Sequence, residues 1–257
     1  MPLERHYEAA LQNMARTVHG LASRLPQPQR VPYRNSFVFR YTEKTVEQAI
    51  VQKLVRIVST LNAAYLLMAH GFVQEQAALQ RVLHEMHEDV IFLCYSRIFN
   101  DFTSLHQEFL DAFYEEEFDA ETAMGSTQKR PMVARKKIQA YIVRKEGMGL
   151  DPSTGLELAR TLTKAYSGYI HAASPHIMEM YGGDPQRFHL AGMLGTQRHA
   201  EHRQDLWNYF YRSILNFGLA AQALGDQQLF DQIHVFTVKF EEAAGKDYSP
   251  KVSPGGT

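Results

Sequence analysis

Residues 42–69 place Val46, Ile50, Leu54, Ile57, Val58, Leu61, Tyr65 and Leu66 at three- and four-residue steps, the period of a single apolar stripe along a long helix. Such a stripe must be covered by another element. Thr45 with Gln48 three residues on predicts a capping box at its start, and Gly71 predicts its C-terminal stop. A short turn then leads into a second long helix over residues 73–99, and so short a connection makes the two antiparallel neighbours. The expected fold is all-α, a multi-helix bundle of about eight helices built on this long antiparallel pair.

The rest of the chain keeps the helical period. Leu3, Tyr7, Leu11, Met14, Val18 and Leu21 describe an N-terminal helix within residues 1–25, which PQPQRVP stops because proline lacks the amide donor. YRNSFVFRY is strand-like but has nothing evident to pair with, so residues 26–41 are expected to form an extended arm. Further helices are predicted over 103–120, in MVARKKIQAYIVRKE, in LELARTLTKAYSGYIHAA, and over 197–224 and 226–244. A Ser-Pro step at 174 and 175 breaks the third of these, with HIMEMY resuming helically. GGDPQRFHLAGMLGT is the longest stretch without clear periodicity and the loop best placed for function. These elements read as one domain over 1–245 with a disordered tail at 246–257.

Lys and Arg number 27 against 28 Asp and Glu, so no global field draws the molecule to nucleic acid or anionic lipid. Any such binding must be local. The single cysteine, Cys94 in VIFLCY, reads as a buried, inert thiol. The first helix is charged and amphipathic without the apolar core of a secretory signal, and no window has the roughly 18 consecutive apolar residues of a membrane span. A cytoplasmic protein, off the membrane and without a cofactor, is expected.

The densest polar segment is RVLHEMHEDV, residues 81–90. Leu79, Val82, Leu83, Met86, Val90, Leu93 and Cys94 define its core face, while Arg81, His84, Glu85 and Glu88 share another. Arg81 and Glu85, four apart, form an expected ion pair. His84, Glu85 and Glu88 are the alternative, metal-binding reading, although the Glu-x-x-His spacing usual in helical di-metal sites is missing. Ser167 and His171 are also four apart, so the hydroxyl can reach the imidazole, but no acid on that face completes a triad.

QEQAALQRVLHE followed later by YSGYIHAAS resembles the HEPN (higher eukaryotes and prokaryotes nucleotide-binding) and abortive-infection group of helical proteins. Many of that group are metal-independent ribonucleases that use an Arg and a His five to seven positions later, in a cleft formed by dimerisation. The resemblance therefore implies RNA as partner, a homodimer with the spine helices at its seam, and Arg81 with His87 as the catalytic pair. Glu85, Ser167 and His171 would support it. Val82 stands where the group carries a polar residue, and Arg81 and His87 lie about 240° apart around a helix. The competing readings are a non-enzymatic helical interaction module, whose polar clusters are structural, and a metal-dependent helical-bundle enzyme.

Two local charge concentrations suit an RNA partner. Lys129, Arg130, Arg135, Lys136 and Lys137 can hold phosphates while Tyr141 stacks on a base, unless they neutralise the acidic block FLDAFYEEEFDAE beside them. Arg198, His199 and His202, with Arg187, His189 and Arg203 nearby, open a helix whose dipole they oppose unless an anion is bound.

Overall fold

A computed structural model describes residues 3–33, 35–116, 120, 122–128, 132–146, 161, 164 and 166–248. Among them the helices are α1 (Leu3–Ala22), α2 (Val46–Ala69), α3 (Val73–Ile98), α4 (Ser104–Tyr114), α5 (Arg135–Glu146), α6 (Ser167–Ile170), α7 (Ser174–Met178), α8 (Gln197–Ala223) and α9 (Gln227–Ala243). The molecule is the all-α bundle expected. The predicted capping box opens α2: Gln48 N–H donates to Thr45 Oγ1 at 3.2 Å and Thr45 N–H to Gln48 Oε1 at 3.1 Å. Gly71, at φ +77°, turns the chain into α3.

α3 is the axis of the bundle and packs against α2, α5, α6 and α8, while α1 and α9 close over α2 and α8. Ile50, Leu54, Ile57 and Leu61 of α2 meet Leu83, Val90 and Leu93 of α3 in one continuous core. Tyr7 of α1, Phe210 of α8 and Phe240 of α9 extend it, with Tyr7 and Phe210 ring centroids 4.5 Å apart. α2 is long and apolar enough to cross a membrane on length and composition, but its inner ridge is fully buried against these helices. Cys94 is buried as expected, and burial raises its thiol pKa.

Four expectations are corrected. The arm expected over residues 26–41 is folded back on itself as an antiparallel hairpin: β1 (Gln29–Tyr33) pairs with β2 (Ser36–Arg40), in the register Arg30 to Phe39 and Val31 to Val38. The strand-like segment finds its partner just upstream, in QRVPY, where Pro32 is tolerated because it lies on an edge strand. The unpatterned loop holds a second small hairpin, β3 (Tyr181–Gly182) with β4 (Arg187–Phe188), and then docks on the α2–α3 corner, Met193 N–H donating to Gly71 O at 2.7 Å. α4 stops at Tyr114, short of the predicted 120. The expected disordered tail begins with ordered residues: the Lys246 ammonium lies 3.7 Å from the Trp207 ring centroid and Tyr248 packs on Tyr211. Most of LELARTLTKAYSGYIHAA, and residues 249–257, lie outside the described residues.

Candidate functional site

One polar ridge of α3, Gln76, Gln80, His84 and Glu88 at four-residue steps, is buried in the interior. Helices on several sides of α3 enclose what an amphipathic reading assigns to solvent. Val82, by contrast, placed on the core face by its spacing, is exposed. The ridge anchors a polar seam through the bundle. Arg212 of α8 donates to His84 Nδ1 at 3.0 Å, which leaves the ring proton on Nε2, 3.4 Å from Glu88 Oε1. Gln139 of α5 donates to Glu88 Oε1 at 2.9 Å. Below it, Asp89 is held by Lys53 of α2 at 2.7 Å and Arg135 of α5 at 2.6 Å. Asp89 thereby ties three helices together.

His87 sits in the α3–α8 interface, fully buried. Ser213 Oγ gives its proton to Tyr209 O at 2.8 Å, so it must accept from His87 Nε2 at 2.7 Å. The imidazole is therefore neutral, with Nδ1 buried and unpartnered. Burial first, then the Arg212 cation, holds its pKa well below the ordinary value. Arg81 Nη1 lies 2.6 Å from Glu85 Oε1, the ion pair expected from their spacing. The two residues of the proposed catalytic pair thus have separate partners, and His87 has no face on solvent.

The other candidates are also accounted for. Ser167 is half-buried and His171 exposed; among the described residues only the backbone bond from His171 N to Ser167 O, 3.1 Å, joins them. Gly168 lies against His176, whose ring a Cβ there would meet at 2.0 Å. Tyr141 is buried against Phe92 and donates to Asp101 O at 3.2 Å, which corrects its proposed role as a stacking platform. Arg135 is engaged by Asp89; of the described members of the basic block Lys136 and Lys137 stand exposed, Lys137 3.7 Å from Glu108. Lys129 and Arg130 lie outside the described residues.

The second basic concentration is neutralised locally. Arg198 bonds Glu201 at 2.9 Å and approaches Glu179 at 3.6 Å, and Arg203 bonds Glu4 at 2.8 Å. His199 Nε2 is 2.9 Å from Met68 O, and His202 is buried beside Tyr169 Oη at 3.3 Å. The anion site expected there is replaced by ion pairs and a cap, Thr196 Oγ1 accepting from His199 N–H. For the metal alternative, His84 and Glu88 are neighbours but Glu85 points to Arg81. Among the described residues no group of three or more His, Cys, Asp or Glu converges as a metal site.

Arg212 and the buried pair Gln76 and Gln80 were not legible as members of this seam. The four-residue spacing of Gln76, Gln80, His84 and Glu88 was the available signal, and it marks burial only once α5 and α8 are in place. Acid is expected to weaken the seam. Burial, with Arg212, Arg81 and Arg135 adding positive charge, lowers the His84 pKa from 6.5 to about 3. Between those values the unfolded histidine is protonated and the folded one is not, so the stabilisation is complete above pH 6.5 and lost as pH falls toward 3. One such group contributes a slope of at most about 1.4 kcal/mol per pH unit. Glu88, whose carboxyl burial raises, opposes it. Urea unfolding at pH 7.5, 6 and 5 should show falling stability, and His84→Gln should make the trend shallower, the remainder staying with His87, His106 and His202, which burial also depresses; an unchanged slope would reject the assignment.

No family model matches this chain, and neither a curated protein nor a solved structure matches it.

Proposed function

We propose that this chain is a non-enzymatic, cytoplasmic helical interaction module whose polar clusters hold the bundle together. The observation that carries this reading is the state of His87: sealed between α3 and α8, neutral, with Nε2 occupied by Ser213. General acid or base work needs a titratable group within reach of the proton it moves. An imidazole without solvent access and with a strongly depressed pKa lacks both requirements.

The second reading, RNA binding without cleavage by a degenerate relative of the HEPN group, has one observation in its favour: Lys136 and Lys137 are exposed next to each other at the start of α5. One experiment tests both. Fluorescent single-stranded and hairpin RNAs are incubated with wild type, Arg81→Ala, His87→Ala and the Lys136→Glu, Lys137→Glu double variant, with folding followed by circular dichroism. The module predicts intact RNA throughout and no anisotropy change. His87→Ala should cost about 2 kcal/mol of stability by opening a cavity at the α3–α8 contact, with no activity to lose. Cleavage in chelator that both Arg81→Ala and His87→Ala abolish while folded would reject the proposal. Binding lost in the double Glu variant would move the function to RNA.

A further inference from the structure

We propose that the cleft between α1 and α9 is a binding site for a small amphipathic carboxylate, its carboxylate on Arg16 and its hydrocarbon along the gap that Gly20 leaves. The two helices run antiparallel over α8 and are tied at both ends. Tyr7 of α1 meets Phe240 of α9 with ring centroids 6.0 Å apart, and Arg24, just past the end of α1, lies 2.5 Å from Asp226 at the start of α9. Between these ties a cleft of about 410 Å³ opens. That volume is within the range of small-molecule pockets, about 300–1,000 Å³. Its floor belongs to the core: Met14, Leu21, Ile214 and Phe217 are almost fully buried. Leu229, Ile233 and Phe236 of α9 form the facing wall, so the trough is hydrocarbon on two sides.

Gly20 makes the space. It lies in the last turn of α1 without a left-handed φ, so no turn requires a glycine there. A Cβ at this position meets nothing within 4 Å, so no close contact requires one either. Glycine is among the least favourable residues inside a helix, and here neither backbone nor packing offsets that cost. Its effect is to keep the α1 wall low where any longer side chain would project into the cleft.

Charge selects the head group. Both charged side chains lining the cleft are arginines, and no Asp or Glu lines it. The two are not equivalent. Arg24 is neutralised by Asp226, whereas Arg16, exposed on the rim, has the uncharged Asn13 Oδ1 as its partner among the described residues, at 2.5 Å. An uncompensated guanidinium beside an apolar trough matches a carboxylate on a hydrocarbon body, since its fork can bond both oxygens. Thr17, one turn from Asn13, adds a hydroxyl at the same end. The cleft shares no residue with the α3 seam, so the inference goes beyond the proposed function and stands apart from it.

Isothermal titration of the full chain with decanoate, decanol and decyltrimethylammonium tests the site. For a ligand of about a dozen heavy atoms, decanoate should bind with a Kd on the order of 10–300 µM. Decanol should bind about three- to tenfold more weakly, and the cation most weakly of all. Arg16→Glu, at an exposed position, should weaken decanoate at least about tenfold and leave decanol within about twofold. Gly20→Leu fills the gap from the helix itself and should abolish binding of both, with Tm unchanged or raised because leucine is the better helix former. The Tm separates a blocked site from a lost fold. Equal affinity for decanoate and decanol, wild-type affinity in Arg16→Glu, or decanoate binding retained by folded Gly20→Leu would each overturn the proposal. So would decanoate that fails to bind at about 1 mM; retention of the chain on phosphatidylglycerol vesicles in that case would make the cleft a contact for a lipid surface instead.

Discussion

Asp89→Ala is expected to destabilise the protein by about 3 kcal/mol, seen as a drop of roughly 6–12 °C in Tm. Asp89 is buried, and its two oxygens are the anchors for Lys53 on α2 and Arg135 on α5. Removing it leaves Lys53 without its carboxylate and Arg135 with only the longer carboxylate contact, to Glu88 at 3.6 Å. The expected loss lies at the low end for a broken buried ion pair, because the Lys53 and Arg135 side chains retain 18% and 28% of their exposure and can turn partly to water. Asp89→Asn, which keeps acceptor capacity without the charge, should fall between. The triple change Asp89→Leu, Lys53→Met, Arg135→Met should recover most of the loss, since replacing the whole group by apolar residues removes the desolvation cost together with the attraction. Equal stability of wild type and Asp89→Ala in urea unfolding would show that the triad is not what joins α2, α3 and α5.

The second large effect is expected where the long loop meets the α2–α3 corner. At Gly192, with φ +102°, a Cβ would stand 2.4 Å from His70 O; at Gly71, with φ +77°, it would stand 2.6 Å from Leu194 N. Both obstacles are backbone atoms, which cannot rotate aside as a side chain can. Each Gly→Ala change therefore combines left-handed strain with a steric clash, at about 3 kcal/mol or by release of the loop. The two changes strike the same contact, so the double variant should cost clearly less than the sum of the singles. Hydrogen exchange separates loop release from global unfolding. Loss of protection at Met193, whose amide bonds Gly71 O, with α8 still protected, is the expected pattern. Wild-type protection and Tm in both single variants would contradict the close approach.

Local signals were legible wherever a residue's partner lies within a turn or two along the chain. The α2 capping box, the Gly71 stop, the Arg81–Glu85 pair and the boundaries of α8 all follow from spacings of three and four residues. The hairpin was not, because the partner of the strand-like YRNSFVFRY, Gln29–Tyr33, lies in the stretch that reads as a proline-rich helix stop. Tyr141 is an instructive miss. Its basic neighbours suggested a nucleic-acid surface, but the helix turns Tyr141 inward onto Phe92 while Lys136 and Lys137 face out.

The candidate site divides in the same way. His84, Glu88 and Asp89 are visible as a polar cluster, but charge and spacing along α3 cannot say whether its wet-looking face meets water or Arg212, Arg135 and Lys53. Those three partners lie 128, 46 and 36 positions away. By itself the sequence determined the all-α class, the long helix pair and the short-range caps and ion pairs, because the 3.6-residue period and neighbouring side chains encode them directly. The packing of distant elements alone reveals that the polar ridge of α3 is buried, that His87 is sealed, and that residues 29–40 fold into a hairpin. Each of these depends on which distant elements pack against a segment, and a helix's own sequence carries no period that records how many neighbours will surround it.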